Sequence, residues 1–279
     1  MTYSRLIASN GRVAHLSLRG QVEAERFSEG AWRQVILPTA PILDGPGGNR
    51  QRELLLGDGF CVLEERDGAS FGFARRDGYV GYVPTLALGA ARAATHIVSA
   101  IRTYAKQVPE LKDTGPHLLL SRGARLTVGE VQGAWVRCAA EGGEMYLPGV
   151  HIRPIRVLDS DPVSVAQMYL GTPYLWGGNS ALGIDCSGLV QAALHACGLE
   201  CPGDSDQQQV ALGHALPTGT PYQRGDLLFW KGHVALVLDA ARMIHANATH
   251  MAVVVEDIAA AIARIEAAGD GPVTAHKRL

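Results

Sequence analysis

The hydrophobic pattern of the chain changes at residue 158, and this change constrains the fold more than any other feature of the sequence. Between residues 35 and 157, short runs of β-prone residues are separated by turn sequences such as DGPGGN (44–49) and RDGA (66–69). From Asp159 onward, capped helical runs and glycine-rich loops precede apolar strand-like runs. The 279 residues are therefore expected to form an all-β part followed by an α+β part.

The all-β part is predicted to contain two similar modules of about 60 residues each. Alternation through Ile97, Ser99 and Ile101 favours a strand within 95–107, although a helix also fits that stretch. The expected strands cover residues 34–37, 59–64, 71–74 and 80–83 in the first module, and 118–120, 123–131, 134–139 and 144–147 in the second. We therefore predict three domains, which span residues 1–90, 91–157 and 158–279.

Two helices are predicted in the last domain. Asp161 followed by Pro162 is typical of a helix start, and Gly171 then ends a helix of about nine residues. The second helix runs from Asp185 or Cys186 to Ala196 and ends before Gly198. The segment between them, PYLWGGNSALG, is too rich in glycine and turn residues to be regular.

Cys186 is the candidate nucleophile. Unpaired amides and the helix dipole favour negative charge at a helix start, so a thiol there ionises more easily than a free one. An alternative is a small buried core residue. The five cysteines are too few for a disulfide scaffold, and the C-x3-C pair Cys197 and Cys201 has no second pair at metal-ligand spacing.

A nucleophilic thiol needs a base, and the base needs a third group to orient it. His195 projects from the opposite side of the Cys186 helix and is excluded. His233 and His245 lie on two runs that predict a β-hairpin, and they share one face if the connection has an odd number of residues. The alternatives are buried structural imidazoles or, with His250, a metal site. We expect no metal and no cofactor.

Charge and hydropathy exclude several partners. The formal net charge is -2, so no strong attraction to nucleic acid or to an anionic membrane is expected. Apolar runs fall far short of the roughly 18 residues that a spanning helix needs. The first 20 residues also lack the apolar core of a secretory signal. These features predict a cytoplasmic protein with no nucleic-acid or membrane partner.

The last domain contains four motifs in a fixed order, which are TPYLWGG (172–178), DCSGLV (185–190), RGDLLF (224–229) and GHVA (232–235). Together they resemble the NlpC-type family of papain-like cell-wall peptidases. The resemblance implies an α+β core in which the cysteine helix packs on an antiparallel sheet. It also implies that Cys186 is the nucleophile, His233 the general base and His245 the residue that orients His233.

The first β module contains the segments LLGD (55–58), VLEE (62–65) and GYVGYVP (78–84). With these segments the β modules resemble paired bacterial SH3-like barrels, above all because GYVGYVP is similar to the glycine-aromatic closing strand of such barrels. The alternative is a pair of generic small β domains.

The paired barrels and the peptidase motifs together resemble the subgroup that recycles murein peptides. This implies hydrolysis of the γ-D-glutamyl-diamino acid bond in L-Ala-γ-D-Glu-diamino acid, with a free amine on L-Ala. Asp204-Ser205 matches the subgroup's aspartate-serine pair, and Asp204 would pair with the substrate ammonium. The remaining candidate substrate-binding residues are Tyr174, Trp176, Asp185, Ser187 and Tyr79, with Tyr82 as a competitor of Tyr79.

Other interpretations stay open at this point. Asp204 in PGDS is also typical of a turn or cap residue, and Trp176 of a core residue. The whole chain is also compatible with a noncatalytic wall-peptide binding protein, or with a thiol-dependent amidase or acyltransferase.

Overall fold

The computed structural model describes residues 5–279. The chain divides into two compact units, one ending at Val157 and the other beginning at Leu158. This division coincides with the predicted start of the last domain. The predicted further division at residue 90 lies within the first unit and stays a prediction.

The first unit consists of strands and three short 3-10 turns. Its strands are β1 (Val13–His15), β2 (Arg26–Ser28), β3 (Ala31–Val35), β4 (Thr39–Leu43), β5 (Arg50–Leu55), β6 (Gly59–Arg66), β7 (Ala69–Ala74), β8 (Val80–Pro84), β9 (Leu88–Ala90), β10 (His96–Val98), β11 (Arg102–Lys106), β12 (His117–Ser121), β13 (Arg125–Leu126), β14 (Val128–Gln132), β15 (Trp135–Ala140), β16 (Gly143–Pro148) and β17 (Ile152–Pro154). The turns are Leu16–Leu18, Thr85–Ala87 and Gly149–His151.

A seven-stranded sheet, in the order β5-β4-β8-β7-β6-β3-β9, forms the first module. Its core contains Val35, Leu54, Phe60 and Val83, all below 2% exposed. The sequence Gly78–Pro84 supplies β8, which pairs antiparallel with both β7 and β4. The glycine-aromatic segment is therefore an interior strand of this sheet.

The second module has its own sheets and its own core. Five strands run in the order β12-β11-β16-β15-β14, and three in the order β13-β10-β17. Leu120, Leu126, Cys138 and Leu147 are buried between them. The ambiguous stretch 95–107 is extended, as the alternation predicted, but it forms two strands, β10 and β11, rather than one.

Part of the N-terminal segment before β3 packs on the first sheet. Ala8 and Val13 join a small cluster with Cys61, Phe71 and Val80. This contact explains why the outer face of β6 and β7 is apolar, since it is covered and not exposed to water.

The second unit is α+β. Its helices are α1 (Pro162–Gln167), α2 (Cys186–Ala196), α3 (Ser205–Ala211) and α4 (Ile258–Ala267), and its strands are β18 (Asn179–Ser180), β19 (Gly183–Ile184), β20 (His214–Ala215), β21 (Leu227–Trp230), β22 (His233–Val237), β23 (Arg242–Asn247), β24 (Ala252–Asp257) and β25 (Ala275–Arg278). Six of these strands form an antiparallel sheet in the order β20-β25-β21-β22-β23-β24, and α2 contacts β22 and β23. The predicted packing of the cysteine helix on an antiparallel sheet is confirmed.

The first predicted helix is shorter than expected. Asp161 caps it as predicted, by accepting hydrogen bonds from the amides of Val163 and Ser164. After Gln167 the chain continues to Leu170 with i to i+3 hydrogen bonds, and Gly171 then turns away with a positive φ of 76°. The last turn is therefore tightened into 3-10 geometry, which is common at helix ends. Within residues 5–279, no helix has the length and apolarity needed to cross a membrane.

Candidate active site

The site is built around the start of α2. Asp185 binds both the first turn of this helix and the loop that precedes it. Its Oδ1 accepts hydrogen bonds from the amide of Gly188 at 2.6 Å and from Ser187 Oγ at 3.0 Å. Its Oδ2 accepts one from the amide of Gly177 at 2.9 Å, in the glycine-rich loop. One buried carboxylate thus caps the helix and holds the preceding loop against it. The predicted substrate contacts of Asp185 and Ser187 stay predictions.

Cys186 is the first residue of α2, as predicted, and is 6% exposed. Leu189, Val190 and Ala193 anchor the helix in the core. Burial raises the pKa of the Tyr174 hydroxyl, and the nearby Cys186 and Asp185 raise it further. Tyr174 is therefore a neutral phenol near Cys186, and its contact with substrate stays a prediction.

Both candidate histidines lie on one hairpin, formed by β22 and β23. Leu236 pairs with Ile244, and the connection after Leu238 is three residues long, so His245 is in register with Ala235. His233 is two positions from Ala235 and shares its face, since side chains alternate along a strand. The prediction that an odd connection brings both imidazoles to one face is confirmed.

The two imidazoles are hydrogen-bonded, with 2.8 Å between His233 Nε2 and His245 Nδ1. Burial lowers the pKa of His233 to about 3, and the neighbouring His245 and Arg264 lower it further. The imidazole is therefore neutral near pH 7 and able to accept a proton. Cys186 Sγ lies 4.0 Å from the carbonyl oxygen of Gly232, which places the thiol beside the start of the His233 strand.

Sequence reasoning missed two charged residues that extend the hydrogen bonds of the histidine pair, Glu256 on β24 and Arg264 on α4. Glu256 Oε2 lies 2.6 Å from His245 Nε2, and Arg264 Nη2 lies 2.7 Å from the same oxygen. Asn247 Nδ2 is 3.0 Å from His245 Nε2. The available signal was Glu256 after the apolar run VVV, since a carboxylate in a strand of this kind needs a partner.

Asp204 and Ser205 lie at the start of α3. Asp204 occupies the N-cap position, but its side chain makes no capping hydrogen bond, which does not support the alternative of a simple cap. One turn later, Gln208 Nε2 donates to the carbonyl oxygen of Ser187 at 2.9 Å and so ties α3 to the first turn of the cysteine helix. The contact of Asp204 and Ser205 with substrate stays a prediction.

The predicted aromatic residues differ in exposure. Trp176 is 65% exposed, so the alternative of a core residue is wrong for it. Tyr79 belongs to the first unit and is 1% exposed within the core of the first sheet. Its competitor Tyr82 packs on Phe71, and its hydroxyl lies 3.3 Å from Asn10 Nδ2. A role of Tyr79 or Tyr82 in substrate binding stays a prediction.

The chemistry available is that of a buried thiol at a helix start beside a neutral, oriented imidazole. Such a pair can form and release an acyl-thioester, because the imidazole takes the thiol proton and returns it to a leaving group. The structure over residues 5–279 holds no group of three or more His, Cys, Asp or Glu side chains arranged for a metal ion.

Comparison with known families supports this reading of the second unit. Residues 171–266 match the NlpC/P60 family. This range includes the loop before α2, the cysteine helix and both histidines. The chain contains an NlpC/P60 domain. Residues 42–88, within the first sheet, match the family described as bacterial dipeptidyl-peptidase Sh3 domain. The NlpC/P60 domain is thus preceded by at least one domain of the SH3 type.

Curated relatives match the NlpC/P60 domain. The chain is 42% identical over 87 residues to dipeptidyl-peptidase 6 of Lysinibacillus sphaericus, which is 30% of this chain and 31% of the relative. It is 35% identical over 122 residues to a gamma-D-glutamyl-L-lysine dipeptidyl-peptidase of Bacillus cereus, covering 41% of this chain and 35% of the relative. The match therefore spans about a third of the length of these relatives.

One solved structure extends the likeness to most of the chain. An NlpC/P60 family protein from Bacillus cereus superposes with a TM-score of 0.73, at 19% identity, over 89% of this chain and 99% of that one. At this identity the likeness concerns the fold, and it covers the β modules as well as the NlpC/P60 domain.

Proposed function

We propose that this protein is a cysteine peptidase that hydrolyses the γ-D-glutamyl-diamino acid bond of free murein peptides, L-Ala-γ-D-Glu-diamino acid. The observation that carries the proposal is the hydrogen-bonded His233 and His245 pair, held beside the start of the helix that begins with Cys186. Relatives of its NlpC/P60 domain are named gamma-D-glutamyl-L-lysine dipeptidyl-peptidases, which supports the choice of bond.

The reaction is an acyl transfer to sulfur and then to water. Cys186 Sγ attacks the γ-carbonyl carbon while His233 takes the thiol proton, and backbone amides at the start of α2 stabilise the oxyanion. The carbon-nitrogen bond then breaks, and His233 gives its proton to the leaving amine of the diamino acid. Water, deprotonated by His233, cleaves the thioester and releases L-Ala-D-Glu with a new γ-carboxylate.

Substrate selection is assigned to the side chains around the thiol. In this proposal Asp204, at the N-cap position of α3, pairs with the free ammonium of L-Ala. Tyr174, Trp176, Asp185 and Ser187 line the pocket in this proposal. The second β module is a second SH3-like barrel in this proposal.

The cellular setting is part of the same proposal. Free tripeptides of this kind arise when wall fragments are recycled, so the enzyme acts in the cytoplasm. Buried reduced thiols at Cys61 and Cys138 are in keeping with a reducing compartment.

The first experiment is incubation of the full chain with L-Ala-γ-D-Glu-meso-diaminopimelate or the lysine analogue, with fragments identified by mass spectrometry. We expect L-Ala-D-Glu and the free diamino acid. Cys186→Ala should abolish their formation, whereas Cys197→Ala, at the other end of the same helix, should keep the parent rate. Full activity of Cys186→Ala would refute the assignment of Cys186 as the nucleophile.

The same assay separates the alternatives. Binding of the peptide without turnover indicates a noncatalytic binding protein, and a product joined to an added amine or alcohol indicates an acyltransferase. N-acetylation of L-Ala should reduce turnover sharply, as should Asp204→Asn, with Asp206→Asn in the same helix as control. Equal rates for acetylated and free peptides would remove Asp204 from its role.

A further inference from the structure

We propose that Glu256 is a positioning residue that fixes where the protons of His245 and His233 reside, so that His233 presents an unprotonated Nδ1 to Cys186. The inference deepens the proposed function and rests on it. In addition to the cysteine and the two histidines, it assigns a role to a fourth residue, Glu256, which is hydrogen-bonded to His245 and to Arg264.

The direction of each hydrogen bond follows from Glu256. Hydrogen bonds from His245 and Arg264 hold the pKa of this carboxyl at about 2, despite the opposing effect of burial, so it is ionised and only accepts. His245 Nε2, at 2.6 Å, must then carry a proton and donate it. In the proposed arrangement the His245 ring carries this proton alone, so its lone pair is on Nδ1.

The second histidine is oriented by the first. His245 Nδ1, lacking a proton, accepts from His233 Nε2 at 2.8 Å. The proton of the neutral His233 is thus on Nε2, and its lone pair is on Nδ1. One carboxylate therefore sets the tautomers of two successive imidazoles, as an orienting group must do for a general base.

The neighbours of Glu256 agree with this direction. Asn247 Nδ2 is near both His245 Nε2, at 3.0 Å, and Glu256 Oε2, at 3.4 Å. Since Nε2 already carries a proton, the amide donates to the carboxylate instead. His250 Nδ1 is 3.8 Å from Glu256 Oε2 on the exposed side, and its ring is tied to Asn247 Oδ1 at 3.0 Å.

Arg264 holds the carboxylate in place. Its Nη2 and Nε lie 2.7 Å and 3.3 Å from the two oxygens of Glu256, and its Nη1 donates to Thr249 Oγ1 at 3.0 Å. This two-point contact fixes the plane of the carboxylate, which a single contact would not do. β24 supplies Glu256 and the helix that follows it, α4, supplies Arg264.

The same carboxylate balances charge during the reaction. His233 becomes an imidazolium when it takes the thiol proton, in surroundings where burial and Arg264 disfavour positive charge. The charge of Glu256, transmitted through His245, offsets this cost. Tyr174 is a titratable group near Cys186, since both Cys186 and Asp185 raise its pKa, and Tyr174 and Asp185 are unchanged in the variants below.

The first test measures the tautomers directly in the unaltered protein. Two-bond 15N-1H spectra near pH 7 should show both His233 and His245 protonated at Nε2 and not at Nδ1. A proton on Nδ1 of His245 would overturn the proposal. This measurement needs no variant and no turnover.

The second test uses Glu256→Gln and Glu256→Ala, with Glu266→Gln on the exposed face of α4 as matched control. We expect kcat to fall roughly 10-fold for Gln and roughly 100-fold for Ala, with KM little changed, because the carboxylate does not touch substrate. The pH midpoint of Cys186 alkylation by iodoacetamide should rise by about one unit in both variants. Glu266→Gln should match the parent in all three measurements.

The outcomes distinguish the two proposals. An unchanged kcat and alkylation midpoint in Glu256→Gln and Glu256→Ala would overturn the role of Glu256 while leaving Cys186 as nucleophile. Persistent cleavage by Cys186→Ala would instead overturn the proposed function, whatever the Glu256 variants do. Should Glu256→Ala fail to fold, Glu256→Gln and the tautomer spectra still decide the matter.

Discussion

Asp185 Oδ1 lies 2.6 Å from the amide nitrogen of Gly188, and this bond makes Cys186 the first residue of its helix. A thiol one turn further along would be surrounded by satisfied helical amides and would lose the benefit of the helix start. The cap therefore places the nucleophile as well as stabilising the fold.

Asp185→Ala should lower the free energy of unfolding by about 2 kcal/mol, because it removes a cap and leaves the buried amide of Gly177 without its acceptor. Urea denaturation measures the loss, and Cys186 alkylation should slow in parallel. Asp257→Ala, which removes the exposed cap of α4, should cost about 1 kcal/mol and leave alkylation unchanged.

Gly188→Ala should destabilise the protein even though alanine favours helices. A Cβ at Gly188 would lie 2.5 Å from the carbonyl oxygen of Gly178 and 2.8 Å from Asn179 Oδ1, so the loop must move away from the helix. We expect a loss of about 2 kcal/mol in urea denaturation and reduced peptide cleavage. Gly45→Ala has open space around its Cβ and is the control; an equal loss there would contradict this explanation.

Acidification should destabilise the protein through His233. Its folded pKa is about 3, below the roughly 6.5 of the unfolded chain, so the unfolded state binds more protons between these values and stability falls as pH falls. We expect a loss of about 2 kcal/mol from pH 7 to pH 4.5. His233→Gln should lose less over this range, while the exposed His250→Gln should follow the parent; parallel curves for all three would count against the lowered pKa.

Asp226→Ala should release the last strand of the sheet. This buried carboxylate accepts from His276 Nε2 at 2.7 Å and from Arg278 Nε at 2.7 Å, both on β25. Burial alone would raise its pKa, but the hydrogen bonds from Arg278 and His276 hold it below its usual value. We expect a loss of about 2 kcal/mol and faster amide exchange in β25. Glu130→Ala removes an exposed carboxylate whose ion pair is with Arg137, and it should change little, so comparable losses would refute this interpretation.

Much of the second unit was predictable because its signals are local. The α2 helix begins and ends where a capping aspartate and Gly198 predicted. The shared face of His233 and His245 followed from the length of one connection, since strand side chains alternate with a period of two. The end of α1 was misjudged because its last turn keeps a helical path while changing its hydrogen-bond spacing.

For the first unit, the sequence predicted the all-β class but not the order in which the strands pair. Turn sequences and alternation indicated extended structure within 95–107. The predicted strand 34–37 is wrong in its bounds, since β3 ends at Val35, and the predicted strand 123–131 is divided into β13 and β14. The strand order β5-β4-β8-β7-β6-β3-β9 was not predictable, because pairing between distant strands depends on which apolar faces are covered together. The packing of Ala8 and Val13 on this sheet is a contact of the same kind.

Local sequence patterns were enough to predict the start of the cysteine helix, the hairpin that carries both histidines and a change of structure near residue 158, because caps, turns and periodicity act over a few residues. The contacts of Glu256 with His245 and Arg264 could be found only in the folded chain. The strand of Glu256 and the helix of Arg264 reach His245 through sheet pairing, and hydrogen-bond direction depends on distances that no local pattern encodes.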